Sequence, residues 1–551
     1  MTPGAAHSGS HETVFRALAH SAARHGGKPF IEVIPDTASR YGIDPIVLSY
    51  GAALQRISAL AESLRRSGIG VGHRVALHLE NRPDFFLHWL ALNALGASVV
   101  PLNPDWREAE LDYVLAHSEA CLAIVLAARA GDFESAAQRI RRPLAVVQPH
   151  EVAGLGASVF TAPAPNARPD ARTECALLYT SGTTGEPKGC ILPNEYFLWA
   201  GTWYAELGGL CRLEEGKERL ITPLPMYHMN AMACSTMAML LTGGCVIPLD
   251  RFHPESWWRN VRESRATIVH YLGVMPAMLL SCEPSAHDTE HAVRFGFGAG
   301  VNASDHAAFE RRFGFPLVEA WAMTETGCGA AIIANHEPRK IGTACFGAAP
   351  ARVEYRIVDA DGHDAGVDQP GELWVRSAGP DPRFGFFAGY LKNAAATAEA
   401  WRDGYFHTGD IVLRDSEGLF HFVDRKKNVI RRSGENIAAV EVESVVKQHP
   451  DVAAVAIAGV PDAVRGEEVM ACVVRPVGAA RSNDAELARS IVAFCLQRLA
   501  YYKAPGYVGF CDQLPLTATA KIQRARLKAL AETLHKSGQC VDTRDLKRRN
   551  A

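Results

Sequence analysis

Residues Leu177–Cys190, Leu-Leu-Tyr-Thr-Ser-Gly-Thr-Thr-Gly-Glu-Pro-Lys-Gly-Cys, gather groups that bind anions. An apolar run, Cys175 to Tyr179, reads as a strand and breaks into six small residues, Thr180 to Gly185. Gly182 and Gly185 allow backbone conformations closed to other residues and let a ligand come close. Thr180, Ser181, Thr183 and Thr184 add hydroxyls, the loop adds backbone N–H groups, and Lys188 adds a mobile positive charge. A polyphosphate needs that combination of many donors and neutralised charge. The string is not a Walker A loop, because Pro187 precedes Lys188 and Gly189 follows it.

Two further stretches carry titratable groups in suggestive order. Trp321-Ala322-Met323-Thr324-Glu325 follows an apolar strand. Alone it reads as a core Trp beside a solvated Glu. At the carboxyl edge of a parallel sheet, however, Glu325 could hold Mg²⁺, Thr324 could meet a phosphate, and Trp321 offers a flat face to adenine. His287-Asp288-Thr289-Glu290-His291 matches the inverted zinc-protease pattern literally. That chemistry needs a long helix, and Pro284 just upstream predicts a solvated loop instead. The 13 cysteines include no Cys-x-x-Cys pair, which predicts free thiols in a reducing cytoplasm.

The elements that must position these groups alternate. Arg74–Leu79, Ala97–Leu102 and Cys121–Leu126 read as strands, with helices over Asp84–Leu95 and Glu108–His117. After the phosphate strand the pattern resumes: helices over Glu195–Leu207, Asn230–Leu241, Pro254–Ser264 and Asp305–Phe313, and strands over Arg219–Thr222, Cys245–Leu249, Thr267–Tyr271, Ala292–Gly296 and Pro316–Ala320. Strands separated by helices of this length predict an α/β fold with doubly wound, mostly parallel sheets. Arg352–Val358, Glu372–Val375 and Gly418–Val423 alternate as antiparallel strands do. A smaller α+β unit begins at Asp424, which sets the expected domains at residues 1–423 and 424–535, with a tail over 536–551. At 551 residues, more than one core is required. The net charge of −3 gives no reason to expect a nucleic acid partner. Met226–Leu249 lacks Asp, Glu, Lys and Arg, yet its His228, Asn230, Gly243, Gly244 and Pro248 make a loop, helix and strand the better reading than a membrane span. The first thirty residues have no apolar segment of the signal-peptide kind.

As a whole string, Leu177 to Cys190 resembles the phosphate loop of the adenylate-forming superfamily of acyl- and aryl-CoA synthetases, peptide-synthetase adenylation domains and luciferases. Later segments follow in the same order. Pro223–Asn230 resembles the segment at the acid entrance, with His228 at the aromatic gate. Trp321–Glu325 resembles the aromatic-Gly-x-Thr-Glu motif, with Ala322 in place of glycine. Gly371–Arg376 resembles the next motif and reads as a structural strand. Tyr405–Asp410 resembles the segment whose Asp takes both ribose hydroxyls. Asp424–Asn436 resembles the hinge motif, and Pro515–Lys521 the motif ending in the catalytic lysine, with Ala520 in place of glycine. Within the superfamily, Phe422–Glu443 looks most like bacterial acyl-CoA ligases related to carnitine- and crotonobetaine-CoA ligase.

The resemblance implies a large N-terminal domain with a small distorted β-barrel added to its parallel sheets, and a small mobile C-terminal domain. It implies catalytic roles for Lys521, Glu325, His228 and Thr180. ATP or AMP would meet Thr180, Ser181, Gly182, Thr183, Thr184, Gly185, Lys188, Gly298, Ala299, Glu319, Ala320, Trp321, Thr324, Asp410, Phe422, Arg425 and Lys521, with Mg²⁺ at Glu325. The acid would meet His228, Met229, Asn230, Met232, Gly300, Trp321, Gly327 and Cys328, a set without charge that disfavours a second carboxylate on the substrate. CoA would pass Arg432, Ser433 and Gly434, with Asp424 as pivot. The implied activity is ATP-dependent acyl-CoA ligation through an acyl-adenylate. The alternative is a stand-alone adenylation enzyme that loads a carrier-protein thiol. The partners are then ATP, CoA and a small carboxylic acid, and the resemblance allows a homodimer.

Overall fold

The computed structural model describes residues 12–164, 166–180, 186–301, 303–359, 362–425, 430–437, 439–476, 483–515, 522 and 524–547. The chain divides into two compact units. One comprises Met1–Pro104, Leu115–Leu178 and Gly189–Val423; the other comprises Asp105–Val114, Tyr179–Lys188 and Asp424–Ala551.

The first unit is built on two large sheets. In the seven-stranded sheet the order is Gly389–Tyr390, Lys188–Pro193, Glu174–Thr180, Ser98–Pro101, Arg74–His78, Leu122–Val125 and Ala145–Val147. The pairings from Glu174–Thr180 outward to Ala145–Val147 are parallel. The inner strands Ser98–Pro101 and Leu122–Val125 are short apolar runs buried at every position, as strands of a sheet covered by helices require, while the edge strand Ala145–Val147 is only half-buried. The eight-stranded sheet runs Ile332–Ile333, Leu317–Trp321, Phe295–Ala299, Ile268–Leu272, Arg219–Thr222, Cys245–Pro248, Pro29–Val33 and Ile46–Ser49. It is parallel through the middle and antiparallel at both edges.

The helix expected over Asn230–Leu241 begins differently. Asn230–Ser235 is a π-helical turn, and a regular helix follows only over Thr236–Thr242. Ser235 Oγ donates to the Asn230 carbonyl and Thr236 Oγ1 to that of Ala231, five residues back in each case, so side chains take carbonyls that the wide turn leaves open. The strand expected over Ala292–Gly296 lies three residues later, at Phe295–Ala299, where its register is set by Ile268–Leu272 alongside. The region expected to form the small barrel is a six-stranded antiparallel sheet, with Val353–Val358 and Cys345–Gly347 at its two ends.

The second unit holds a six-stranded sheet made of Glu435–Ile437, Ile430–Arg432, Gly466–Val474, Tyr507–Phe510, Cys540–Asp542 and Ala454–Asp462. Helices Ala439–Val446, Asp484–Leu496 and Arg524–Lys536 accompany it, an α+β arrangement. Lys503 is buried there between Glu110 and Glu441, at 2.6 and 2.7 Å. Among the described residues no helix is long and apolar enough to cross a membrane.

Candidate active site

Thr180 ends its strand and Lys188 opens the next, so the expected phosphate loop hangs between two neighbouring strands. Ser181, Gly182, Thr183, Thr184 and Gly185 lie outside the described residues. Within the second unit, the loop's far end is tied where the Tyr113 hydroxyl donates to the Pro187 carbonyl at 2.9 Å.

Two carboxylates of the first unit are buried and each receives a donor from an aromatic residue. Glu325 follows strand Leu317–Trp321 and is 8% exposed. The Tyr390 hydroxyl donates to its Oε1 at 2.9 Å, and the Phe387 N–H donates to its carbonyl. Burial and the Glu325 charge both raise the Tyr390 pKa, so the hydroxyl stays a donor. The neighbouring Thr324 carbonyl accepts from the Tyr196 hydroxyl at 3.0 Å. Asp410 sits within strand Tyr405–Arg414 and is 1% exposed. Trp321 Nε1–H donates to its Oδ2 at 2.9 Å. The preceding backbone is locked as well: Thr408 donates to the Leu373 carbonyl and accepts from the Asp410 N–H, while Gly409, at φ +68, donates to Glu372. Trp321 is thus more than a flat face, because its indole N–H orients Asp410.

Glu319, expected at the nucleotide, also holds backbone in place. Its carboxylate is buried and accepts from the Val301 N–H at 2.8 Å, fixing the turn after strand Phe295–Ala299. Burial raises its pKa. Gly298 is a glycine for packing: a Cβ there would lie 2.3 Å from the Tyr271 carbonyl oxygen. Ala299, Gly300 and Ala320 finish the same strand ends. Phe422 is half-buried on strand Phe420–Arg425, which also carries Asp424 and Arg425.

At the expected acid entrance, His228 follows a turn in which its N–H donates to the Pro225 carbonyl, and its ring lies against Tyr227. Met229 leads into the π-helical turn that contains Asn230 and Met232. Gly327, at φ +51, packs against Tyr196 and the Gly385 carbonyl, where a side chain would collide. The next residue, Cys328, puts its sulfur 3.8 Å from that of Cys234, both buried thiols. Burial pushes the Cys328 thiol well up.

In the second unit, Ser433 and Gly434 form a two-residue hairpin turn with φ +50 and +90. Arg432, expected beside CoA, is buried and its Nε donates to Glu468 at 2.8 Å, so its charge is used inside this unit. Lys521 lies outside the described residues. His287 pairs with Glu290 and His291 stacks on Trp258, in turns rather than on a long helix.

Among the described residues no three His, Cys, Asp or Glu side chains gather as a metal cage. A single carboxylate such as Glu325 fits a hard cation that keeps water and phosphate oxygens as its other ligands, as Mg²⁺ does. Sequence reasoning missed Tyr390, whose role arises from an antiparallel pairing far along the chain, and His270, whose ring meets Ser235 and Asn230 of the π-helical turn. A histidine amid the apolar run Ile268–Leu272 was the available signal for the latter.

Residues 18–391 match the AMP-binding enzyme family and residues 441–521 its C-terminal domain. The chain is 30% identical over 533 residues to crotonobetaine/carnitine–CoA ligase of Escherichia coli, covering 91% of this chain and 99% of that protein. The Shigella flexneri protein of the same name is also 30% identical, over 529 residues. A malonyl-CoA ligase, solved with methylmalonyl-CoA and AMP, shares 26% identity and a TM-score of 0.72 over 91% of this chain and 100% of that one. The o-succinylbenzoate CoA synthetase of Bacillus subtilis has the same fold at 22% identity, with a TM-score of 0.79 over 93% of this chain and 98% of that one. The chain belongs to the AMP-binding enzymes, the adenylate-forming family, with matches to both of the family's domains.

Proposed function

We infer that the protein is an ATP-dependent acyl-CoA ligase. A carboxylate oxygen of the acid attacks the α-phosphorus of ATP; that P–O bond forms as the bond to the bridging oxygen of pyrophosphate breaks. The CoA sulfur then attacks the acyl carbonyl, a C–S bond forms, the C–O bond to AMP breaks, and the thiol proton is lost to solvent. Asp410 takes the ribose hydroxyls, with Arg425 and Phe422 beside the nucleoside. Thr180, Lys188 and the Ser181–Gly185 loop hold the phosphates, and Lys521 stabilises the charge that grows at the α-phosphate. Mg²⁺ bound through Glu325 would neutralise phosphate charge. His228 gates the acid, and Ser433 and Gly434 border the pantetheine path. Lys521 serves the first half-reaction only, with Asp424 as the pivot of the exchange.

The observation that carries this reading is the pair of buried carboxylates, Asp410 and Glu325, each oriented by an aromatic donor of the protein itself. Preorganised groups of this kind are what phosphoryl chemistry asks of a protein. Thirteen free thiols suit the cytoplasm as the place of work. The test is pyrophosphate release with ATP and Mg²⁺ against short, medium and long fatty acids, benzoates, cinnamates, carnitine and crotonobetaine, with and without CoA. Turnover that requires CoA is expected. Adenylate that accumulates whether or not CoA is present would point to a carrier-protein thiol as acceptor.

A further inference from the structure

Beneath the π-helical turn lies a hydrogen-bond relay that neither half-reaction uses. His270 sits in strand Ile268–Leu272, fully buried. Its ring forms a cluster with Tyr204, at 5.6 Å, and Phe297, at 4.8 Å, which also lie 4.9 Å from each other; Phe297 is in register with His270 on the neighbouring strand. Its Nε2 is 2.9 Å from the Tyr204 hydroxyl. Its Nδ1 is 2.8 Å from both Ser235 Oγ and Asn230 Oδ1. Burial pushes the imidazole pKa down to about 3, so the ring is neutral and carries one proton.

The location of that proton follows from the neighbours. Tyr204 is fully buried, and its hydroxyl has no acceptor among the described residues except His270 Nε2. A buried hydroxyl left without an acceptor is costly, so Tyr204 donates and Nε2 accepts. The proton is then on Nδ1. The Ser235 hydroxyl donates to the Asn230 carbonyl at 3.2 Å, so its oxygen is free to accept from Nδ1–H along with Asn230 Oδ1. The Asn230 amide can therefore face His270 only through its oxygen. Its NH₂ group is turned the other way and donates to nothing among the described residues, although the residue is half-buried. Asn230 follows the carboxyl end of strand Arg219–Thr222 by eight residues, and its side chain meets His270 on strand Ile268–Leu272, which pairs in parallel with the strand that ends in Gly298 and Ala299. Ligands of open α/β sheets bind outside the carboxyl ends of the strands.

We propose that Tyr204 and His270 are positioning residues that hold the Asn230 NH₂ toward the acid, and that the acid carries an acceptor oxygen on its acyl chain, as a hydroxy or oxo acid does. The inference rests on the acyl-CoA ligase reading and names its substrate class. A plain hydrocarbon chain would cover that NH₂ and leave it unpaired, and a site built to hydrogen-bond its substrate rejects the analogue that lacks the partner.

The experiment compares kcat/KM for CoA-dependent pyrophosphate release within matched pairs: hexanoate against 3-hydroxyhexanoate and 5-oxohexanoate, and benzoate against 4-hydroxybenzoate. Wild type is expected to favour the oxygenated member of at least one pair by about 10- to 100-fold. Asn230→Leu removes the donor and brings that ratio close to unity. His270→Phe keeps the stack on Tyr204 and Phe297 but removes Nδ1–H, and it lowers the ratio by about tenfold. The ratio is insensitive to a general loss of folded enzyme, because both acids meet the same preparation. Turnover in which no pair favours the oxygenated acid, or a ratio unchanged in Asn230→Leu, overturns the inference and leaves the ligase reading standing. Absence of CoA-dependent turnover with every acid, including those of the wider panel, overturns both.

Discussion

Replacing Trp321 with Phe isolates one hydrogen bond. The ring stays aromatic, but the Nε1–H that meets Asp410 Oδ2 at 2.9 Å is lost. Asp410 is only 1% exposed, so water is poorly placed to replace the donor. A hydrogen bond to a charged, buried group contributes about 1.5–3 kcal/mol. At about 1.4 kcal/mol per factor of ten, that is roughly 10- to 150-fold in whatever step needs the carboxylate held in place. In the proposed reaction that step is capture of the ATP ribose. The KM for ATP in ATP–pyrophosphate exchange should therefore rise by that factor. The smaller ring also leaves space beside Phe346, so the melting temperature falls too. A double-mutant cycle separates the two effects. Once Asp410→Asn has removed the charge, Trp321→Phe should cost little further ATP affinity, and the two changes should be less than additive. A folded Trp321→Phe enzyme with an unchanged KM for ATP, or full additivity with Asp410→Asn, would refute the orienting role.

Tyr390→Phe removes the donor to Glu325, and the Mg²⁺ concentration for half-maximal pyrophosphate release should rise about tenfold or more. Lys521→Ala should abolish adenylation yet spare thioester formation from supplied acyl-adenylate; equal loss of both would sink its assignment. Lys503→Met strands Glu110 and Glu441 in the interior of the second unit and should cost about 3–5 kcal/mol, seen as an earlier urea transition. Glu310 gives a pH signature. Burial alone would raise its pKa, but His306, Arg339 and the Leu317 N–H bring it down to about 2. Its contribution is complete above the unfolded value near 4.5 and is lost as pH falls toward 2, amounting to about 2 kcal/mol by about pH 3. Glu310→Gln should lack that part of the acid sensitivity in urea titrations.

The alternation of elements was legible because buried parallel strands are written as short apolar runs, and Ser98–Pro101 and Leu122–Val125 stand close to where those runs predict them. Register was not legible. Ala292 and Val293 look like strand residues, yet the strand begins at Phe295, where pairing with Ile268 starts. The π-helical turn at Asn230 obeys no periodicity, since it answers to hydroxyls and to a histidine on another element. In the site, residue types such as Asp410 and Glu325 could be picked out in order along the chain, but their partners could not. Tyr390 reaches Glu325 from a two-residue strand, too short to leave a pattern. Arg432 is a like case: the basic run reads by itself as a solvated turn, and Glu468, which accepts from Arg432 Nε at 2.8 Å, is too far along the chain to be foreseen.

That two-residue strand has a consequence for how the gene can change. Gly389 pairs with Ile191 and Tyr390 with Cys190, so the hydroxyl on Glu325 is placed by a ladder against the strand that leaves the phosphate loop. Side chains alternate between faces along a strand, and a slip by one position would turn Tyr390 away from the carboxylate. Insertions and deletions between Phe387 and Leu391 should therefore be purged from working copies, whereas the turn at Gly362, with open space around it, should vary in length among them. A library of single-codon insertions, sorted for activity, would trace this ladder as a gap in the tolerated positions.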